Sequence, residues 1–559
     1  MAGGVVIQGT ADVSRVEAPV TVRAYLICAF AAFGGIFFGY DTGWMGGVLA
    51  EPYFITLYTG HQYDYDAKKP IGISAKEFII PSSTASLFTS ILSLGTFLGA
   101  LAGGDIADFI GRRPTIIAGC FVFSAGCILE IASTNQEVLF VFGRLIAGVG
   151  VGFISAVVIL YMSEIAPKKV RGAMVSGYQF CITIGILLAN VVVYASNDRS
   201  DTGSYRIPIG VQFAWALILG IGLFILPESP RYFVKRGRLE EAAKALAFCR
   251  GQPLESEYIR AEIAEIVANH EFEMALIPQR SYVQSWTACF KGSISKGDSP
   301  LRRTILGAGL QCAQQFTGIN FIFYFGPPFF KQLGTISNVF LISLVTTLVN
   351  VLSTPISFVT IEWLGRRAIL LGGGVGMTIC QFIIAIIGVT AGKSHTAPDG
   401  TEIFNKSAVS AMIAFICINI AFFASTWGPT AWVVVGEIFP LQIRSRGVGI
   451  STASNWFWNT VIAVITPFLV GEDEANLGAK VFFLWGSLCI GSTIFAYFLV
   501  PELKGLSLEQ ADMCMAAVTP RKSAAWRPDH TFAAEMHHTA DDKPLASVDE
   551  KAVSSDEKV

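Results

Sequence analysis

Asp108-Phe-Ile-Gly-Arg-Arg113 recurs as Glu362-Trp-Leu-Gly-Arg-Arg367. Two further marks repeat in the same order. Glu164-Ile-Ala-Pro-Lys-Lys-Val-Arg171 returns as Glu437-Ile-Phe-Pro-Leu-Gln-Ile-Arg444, and Pro227-Glu228 returns as Pro501-Glu502. Glu164 and Glu228 lie 64 positions apart; Glu437 and Glu502 lie 65 apart. Self-similarity on this scale marks a duplicated unit.

What is duplicated is apolar. Of 559 residues, 52% are hydrophobic and 15% charged, with a mean hydropathy of +0.55. That composition places the chain in the membrane class. Apolar runs occur near 23–48, 84–104, 114–134, 138–161, 173–196, 209–226, 303–325, 337–361, 368–391, 408–435, 447–470 and 479–500. Each is long enough for a helix to cross the hydrocarbon layer, which takes about 20 residues. Twelve spans put both ends of the chain on one side. An even number of spans separates the repeated marks, so the two halves share an orientation. The expected fold is an all-α membrane protein of twelve helices in two six-helix halves, 23–226 and 303–500. A parallel repeat of this kind places the substrate between its halves near the midplane.

The loops orient it. Arg112–Arg113, Lys168–Lys169–Arg171, Arg231 to Arg238, Arg302–Arg303, Arg366–Arg367 and Arg444–Arg446 all fall in alternate loops. By the positive-inside rule these loops are cytoplasmic, with the tails 1–22 and 501–559. Asn405-Lys-Ser407 then lies outside, where Asn405 is a glycosylation acceptor by pattern. The loop 227–302 carries amphipathic stretches at 239–250 and 256–269, the second with Ile259, Ile263 and Ile266 on one face. They are expected to lie over the inner mouth. The polar end of the chain, about 45 residues, reads as disordered. A net charge of −2 suggests no nucleic-acid partner. The 11 cysteines show no disulfide or metal framework, and the six histidines lie outside the apolar runs. Gly95, Gly99 and Gly103, with Gly148 and Gly152, read as close helix packing. No Gly-Lys-Ser/Thr phosphate loop accompanies them, which disfavours an ATP-driven pump.

Within the run from 303, Gln311-Cys-Ala-Gln-Gln-Phe-Thr-Gly-Ile-Asn-Phe-Ile-Phe-Tyr324 gathers four amides: Gln311, Gln314, Gln315 and Asn320. Hydrocarbon offers an amide nothing to bond, so the cluster faces a cavity or a neighbouring helix. Gln311, Gln315, Asn320 and Tyr324 fall on nearly one face. An amide donates and accepts without charge, which suits a neutral ligand rich in hydroxyls. One acid, Asp41, is read deep in the N-terminal half, roughly 25 Å along the first span; Arg144 lies roughly 9 Å below the outer end of the fourth. Their depths match, so they are expected to pair. An intramembrane charge marks function.

These motifs, with Gly39-Tyr-Asp41-Thr-Gly43, Gly143-Arg144, Pro227-Glu-Ser-Pro-Arg231, Gln314-Gln-Phe-Thr-Gly-Ile-Asn320 and Pro501-Glu502-Leu-Lys-Gly505, carry a resemblance. The chain resembles the sugar porter family of the major facilitator superfamily, most closely the fungal hexose transporters, over nearly its whole membrane part. The resemblance implies a monomeric carrier for a neutral monosaccharide such as glucose, working by alternating access without a cofactor. It adds Gln179, Asn350, Asn455 and Trp432 to Gln314, Gln315, Asn320 and Tyr324 as sugar contacts. Where animal relatives carry a glutamate on the tenth span this chain has Ala424, leaving Thr426 and Trp427 to shape that wall. The resemblance also implies that Asp41 carries a proton and Arg144 sets its affinity, making the chain a symporter. The duplicated charges on the inner face (Asp108, Arg112, Arg113, Glu164, Arg171, Glu228, Arg231, Glu362, Arg366, Arg367, Glu437 and Arg444) are expected to pair across the halves and hold the cytoplasmic side shut. The competing readings are a uniporter, a pentose, polyol or quinate carrier, and a non-transporting sugar sensor, whose usual long tail is not seen here. No nucleophile–base set points to an enzyme.

Overall fold

A computed structural model describes residues 19–528, apart from 74–77, 277–281, 333–338, 393–394, 397–401, 404, 471–474 and 476. Among the described residues, eleven helical stretches are long and apolar enough to cross a membrane. They are Val22–Val48, Ser82–Ile110, Arg112–Ala132, Glu137–Ile165, Lys168–Ser196, Gly203–Leu223, Leu341–Trp363, Arg366–Val389, Lys406–Glu437, Arg444–Val470 and Gly478–Leu499. The remaining span, seventh in order, is broken. Its parts are Pro300–Gln315 and Ile319–Gln332, joined by a turn at Gly318. The break falls inside the amide stretch and sets Asn320 on a different helix from Gln315. These are the twelve helices of the major facilitator fold.

The sequence forms these helices by crowding them. In the second and fourth spans the glycines allow backbones to touch. A Cβ at Gly95 would lie 2.3 Å from the Leu145 carbonyl oxygen, and one at Gly148 2.3 Å from that of Leu92. Gly152 meets Thr96 in the same way, at 2.5 Å. Between the halves, the second span packs on the eleventh and the fifth on the eighth. The fourth span and the part Trp427–Glu437 of the tenth run buried at the centre.

The repeat has a local physical meaning. Gly111 and Gly365 turn the chain between spans with φ of 109° and 91°, which side chains other than glycine rarely adopt. The next helix in each half then starts with unpaired backbone N–H groups. Glu228 accepts from the Arg113 N–H at 3.1 Å; Glu502 accepts from those of Arg366 and Arg367 at 2.9 and 3.0 Å. A carboxylate there also complements the helix dipole.

The long connecting loop forms helices at Leu239–Arg250 and Glu257–Leu276. Ile259, Ile263 and Ile266 pack with Ala242, Ala243, Leu246 and Val234 in a small core of their own. The chain end departs from expectation. Leu508–Ala517 is a helix opened by a Ser507–Gln510 capping box, and Ser523 is buried beneath the turn that follows. Polar composition hid it, because its anchors are charges: Glu509 meets Arg231 and Asp512 meets Arg303. Residues 529–559 lie outside the described residues.

Candidate functional site

One cavity lies between the halves, enclosing about 60 Å³. Gln314, Gln315, Asn320 and Tyr324 reach it from the two parts of the seventh span. Gln179 comes from the fifth, Asn350 from the eighth, Trp432 from the tenth and Asn455 from the eleventh. The structure thus brings all eight residues to one place. Their amides bond one another. Gln315 Nε2 donates to Asn455 Oδ1 at 3.0 Å, and Asn320 donates to Gln315 Oε1. Asn455 Nδ2 donates to Gln311 and Gln314, each at 2.7 Å. Trp432 Nε1 donates to Gln179 Oε1 at 3.2 Å, fixing the indole beside the amide. The Asn350 oxygen is buried with no partner. Phe38, Phe323 and Phe423 complete apolar walls.

Asn459 was missed in the sequence. It lines the same cavity, accepts from Ser93 at 2.8 Å and donates to the Tyr324 hydroxyl at 3.1 Å. Its position four residues after Asn455 puts it on the same helix face, so the signal was there. The expectation for Trp427 and Thr426 is corrected. Trp427 is fully buried and donates to the Leu370 carbonyl at 2.8 Å, and Thr426 lies against Gly373, so both face the ninth span. Phe423, one turn earlier, forms that wall instead. Asn405 accepts from the N–H groups of Ser407 and Ala408, and so caps the tenth span.

Beside the cavity, Arg144 Nη1 meets Asp41 Oδ1 at 3.2 Å, with both side chains buried. Trp44 Nε1 donates to the same oxygen at 3.2 Å, and the guanidinium carbon stands 5.1 Å from the Trp44 ring. Thr42 and Gly43, the next residues after Asp41, line the cavity. The Tyr324 hydroxyl, bonded to Asn459, lies within electrostatic range of Asp41 and Arg144. Asp41 is not the one deep acid of its half: Glu130 on the third span is also fully buried.

The Sugar (and other) transporter family profile matches residues 27–514. The chain belongs to this family. It is similar to the Major facilitator-type transporter ecdD of Aspergillus rugulosus, 44% identical over 90% of each chain. It is 40% identical to the High glucose sensor RGT2 of Saccharomyces cerevisiae over 88% of this chain and 60% of that one. The Low-affinity glucose transporter HXT1 of the same yeast is 36% identical, over 91% and 85%. Among solved structures, the proton:xylose symporter XylE bound to 6-bromo-6-deoxy-D-glucose aligns with a TM-score of 0.72, covering 88% of this chain and 98% of that one. At 24% identity, that likeness is one of fold.

On the basic face this sugar transporter family member carries the duplicated charges, and their pairing differs from expectation. Arg112 grips Glu164 through two bonds of 3.0 and 2.9 Å; Arg366 grips Glu437 at 3.1 and 2.8 Å. Each pair lies within one half. The same spacing recurs in each half, so each Gly-Arg-Arg turn reaches the acid of its own half first. Arg113 and Arg367 likewise bond carbonyls of their own half, Leu226 and Val500. Other groups cross. Arg446 of the eleventh span meets Asp105 at 2.8 Å and Asp108 at 3.3 Å on the second. Ser445 accepts from Arg112 at 3.1 Å, and Glu362 accepts from the Ala173 N–H at 3.0 Å. Arg171 donates to the Leu506 carbonyl at 3.3 Å, while Arg444 donates to that of Phe439 at 2.9 Å. Arg231 meets Glu509 at 2.8 Å. Burial raises the Glu509 carboxyl, but Arg231 and Arg444 outweigh it and hold it at about 2.

Proposed function

We propose that the chain carries a neutral monosaccharide, glucose or a related hexose, across the plasma membrane by alternating access, with a proton moving in the same direction. The single observation behind this reading is the convergence of uncharged amides from four spans on one cavity, with Asp41–Arg144 alongside. A pyranose presents hydroxyls that both donate and accept, and an apolar C–H face. The amides answer the hydroxyls, and Trp432 and the phenylalanines answer the face. In exchanging bonds among themselves for bonds to sugar, the amides leave no polar group unpaired.

Both termini and the basic loops face the cytoplasm in this reading. With Asp41 ionised and paired to Arg144, the proton site is at rest. A proton on Asp41 loosens the pair, and Tyr324 and Thr42 report the change to the sugar site. Inward opening requires the contacts of Arg446 with Asp105 and Asp108, of Arg112 with Ser445 and of Glu362 with Ala173 to part. Arg112–Glu164 and Arg366–Glu437 travel intact as struts of their halves.

The likeness to the High glucose sensor RGT2 favours one other reading, a receptor that binds sugar and signals without transport. Radiolabelled uptake into cells lacking their own transporters separates the two. The assay uses hexoses, pentoses and polyols, with and without a protonophore. Hexose accumulation that collapses with the protonophore is expected. Uptake that only equilibrates and ignores the protonophore makes the protein a uniporter, and the absence of any uptake from a protein at the cell surface favours the sensor.

A further inference from the structure

Glu130 sits two residues from the end of the third span and is fully buried, yet neither of its carboxyl oxygens has a hydrogen-bond partner. A Cβ placed on Gly143 would lie 2.8 Å from Glu130 Cγ, so the Glu130 side chain rests against the residue just before Arg144. Arg144 and Asp41 are its charged neighbours from the fourth and first spans. Cys127 faces it from its own helix, and Tyr58, itself near Glu137 and Tyr205, from the loop helix Pro52–Thr59. Arg206 of the sixth span is engaged with the Ile131 carbonyl and Thr134. The cluster therefore holds two buried carboxyls and one buried guanidinium. Asp41 has the guanidinium and the Trp44 indole; Glu130 has neither. A buried carboxylate without a partner costs several kcal/mol, and such a group keeps its proton instead.

We infer that Glu130 is the protonated member of a two-carboxyl, one-arginine exchange, in which it hands its proton to Asp41 as Arg144 passes from Asp41 to Glu130. The O–H bond of Glu130 breaks and an O–H bond on Asp41 forms. The guanidinium moves the opposite way, and the cluster stays neutral throughout. Glu130 lies outward of Asp41 if the basic face is cytoplasmic, so it is the acid loaded first from outside. The inference deepens the proton part of the proposed function, but its test needs no sugar.

Infrared spectroscopy of the full chain in lipid nanodiscs reads the C=O stretch of protonated carboxylic acids directly. In a Glu51→Gln background, which removes the other buried carboxyl that holds its proton at neutral pH, the chain is expected to show a buried-acid band that disappears on adding Glu130→Gln. The same band is expected to disappear in Asp41→Asn, because Arg144 then takes Glu130 as its only counter-ion and ionises it. Arg144→Met, which frees both acids of the cation, is expected to keep the Glu130 band and add a second. A band that survives Glu130→Gln overturns the assignment of the proton. A band that survives Asp41→Asn, or Arg144→Met adding none, overturns the exchange. These outcomes hold for a uniporter as for a symporter, so failure of protonophore-sensitive uptake faults the proposed function separately.

Discussion

Arg112 meets Glu164 at 3.0 and 2.9 Å in one half, and Arg366 meets Glu437 at 3.1 and 2.8 Å in the other. In these two pairs on the basic face the halves agree to about a tenth of an ångström. Away from that face they differ, although the N-terminal half also gives the cavity one amide, Gln179. The N-terminal half buries Asp41, Glu130 and Arg144, while the C-terminal half buries Gln311, Gln314, Gln315, Asn455 and Asn459. The duplicated pairs do the same mechanical work in each half, tying a helix turn to its neighbour. In the proposed function the midplane work is divided. A charge responds to a proton; a neutral amide exchanges partners with hydroxyls at little electrostatic cost.

The largest effect is expected where the halves agree. Arg112→Met and Arg366→Met each strand a buried glutamate, a loss of about 3–5 kcal/mol. Thermal unfolding in detergent should show both variants destabilised to a similar extent; a large effect in one half alone breaks the symmetry. Next come the amides. Gln315→Ala or Asn455→Ala should cost about 1–3 kcal/mol of sugar affinity, roughly five- to 150-fold, with a smaller change in melting temperature. Equilibrium binding measures it, and unchanged affinity in both variants would sink the binding-site assignment.

Tyr324→Phe removes the hydroxyl that stands between the amides and the charged pair. About 1 kcal/mol, a loss of roughly fivefold in sugar affinity, is expected. If the hydroxyl links the two sites, the pH dependence of uptake should also flatten; a pH profile identical to wild type speaks against the link.

The smallest effect contrasts the two faces. Glu51, on the face opposite the basic loops, accepts from Ser204, but burial raises its carboxyl from 4.5 to about 8. The folded protein holds that proton over a range where the unfolded chain has lost it, so its stability falls as pH rises from about 4.5 to about 8. Glu51→Gln should remove this slope in melting temperature, raising stability relative to wild type above pH 8. An unchanged slope places the proton elsewhere. Glu509 behaves oppositely: held at about 2, it adds stability that is lost only as pH falls from 4.5 through 2.

The resemblance to the sugar porters supplied Gln179, Asn350, Trp432 and Asn455; the linear chain by itself was enough for the repeat, the twelve spans and the amide cluster of the seventh. Those follow from periodicity, from the length needed to cross hydrocarbon and from the cost of an unpaired amide there. Depth along a helix sufficed to pair Asp41 with Arg144, because rise per residue is fixed. Glu130 escaped because Ile-Leu-Glu-Ile at the end of a span reads as a residue emerging into water. The fourth span seals it from the side, and Phe54, Phe88 and Phe140 pack around this end of the half, with rings 4.9–6.1 Å apart. Trp427 escaped for a different reason: the backbone turn at Thr426 sends its indole to Leu370. The duplicated charges of the basic face were read from the sequence, Asp105 was not, and neither were the partners they meet. An acid and an arginine at matching depth can pair within a half or across it, and only the packing of the second span on the eleventh gave Asp105 and Asp108 to Arg446. Helix periodicity and hydropathy are local properties that the sequence states outright. Which side chain meets which depends on how helices rotate and tilt against each other, and that is decided by contacts between residues far apart in the chain.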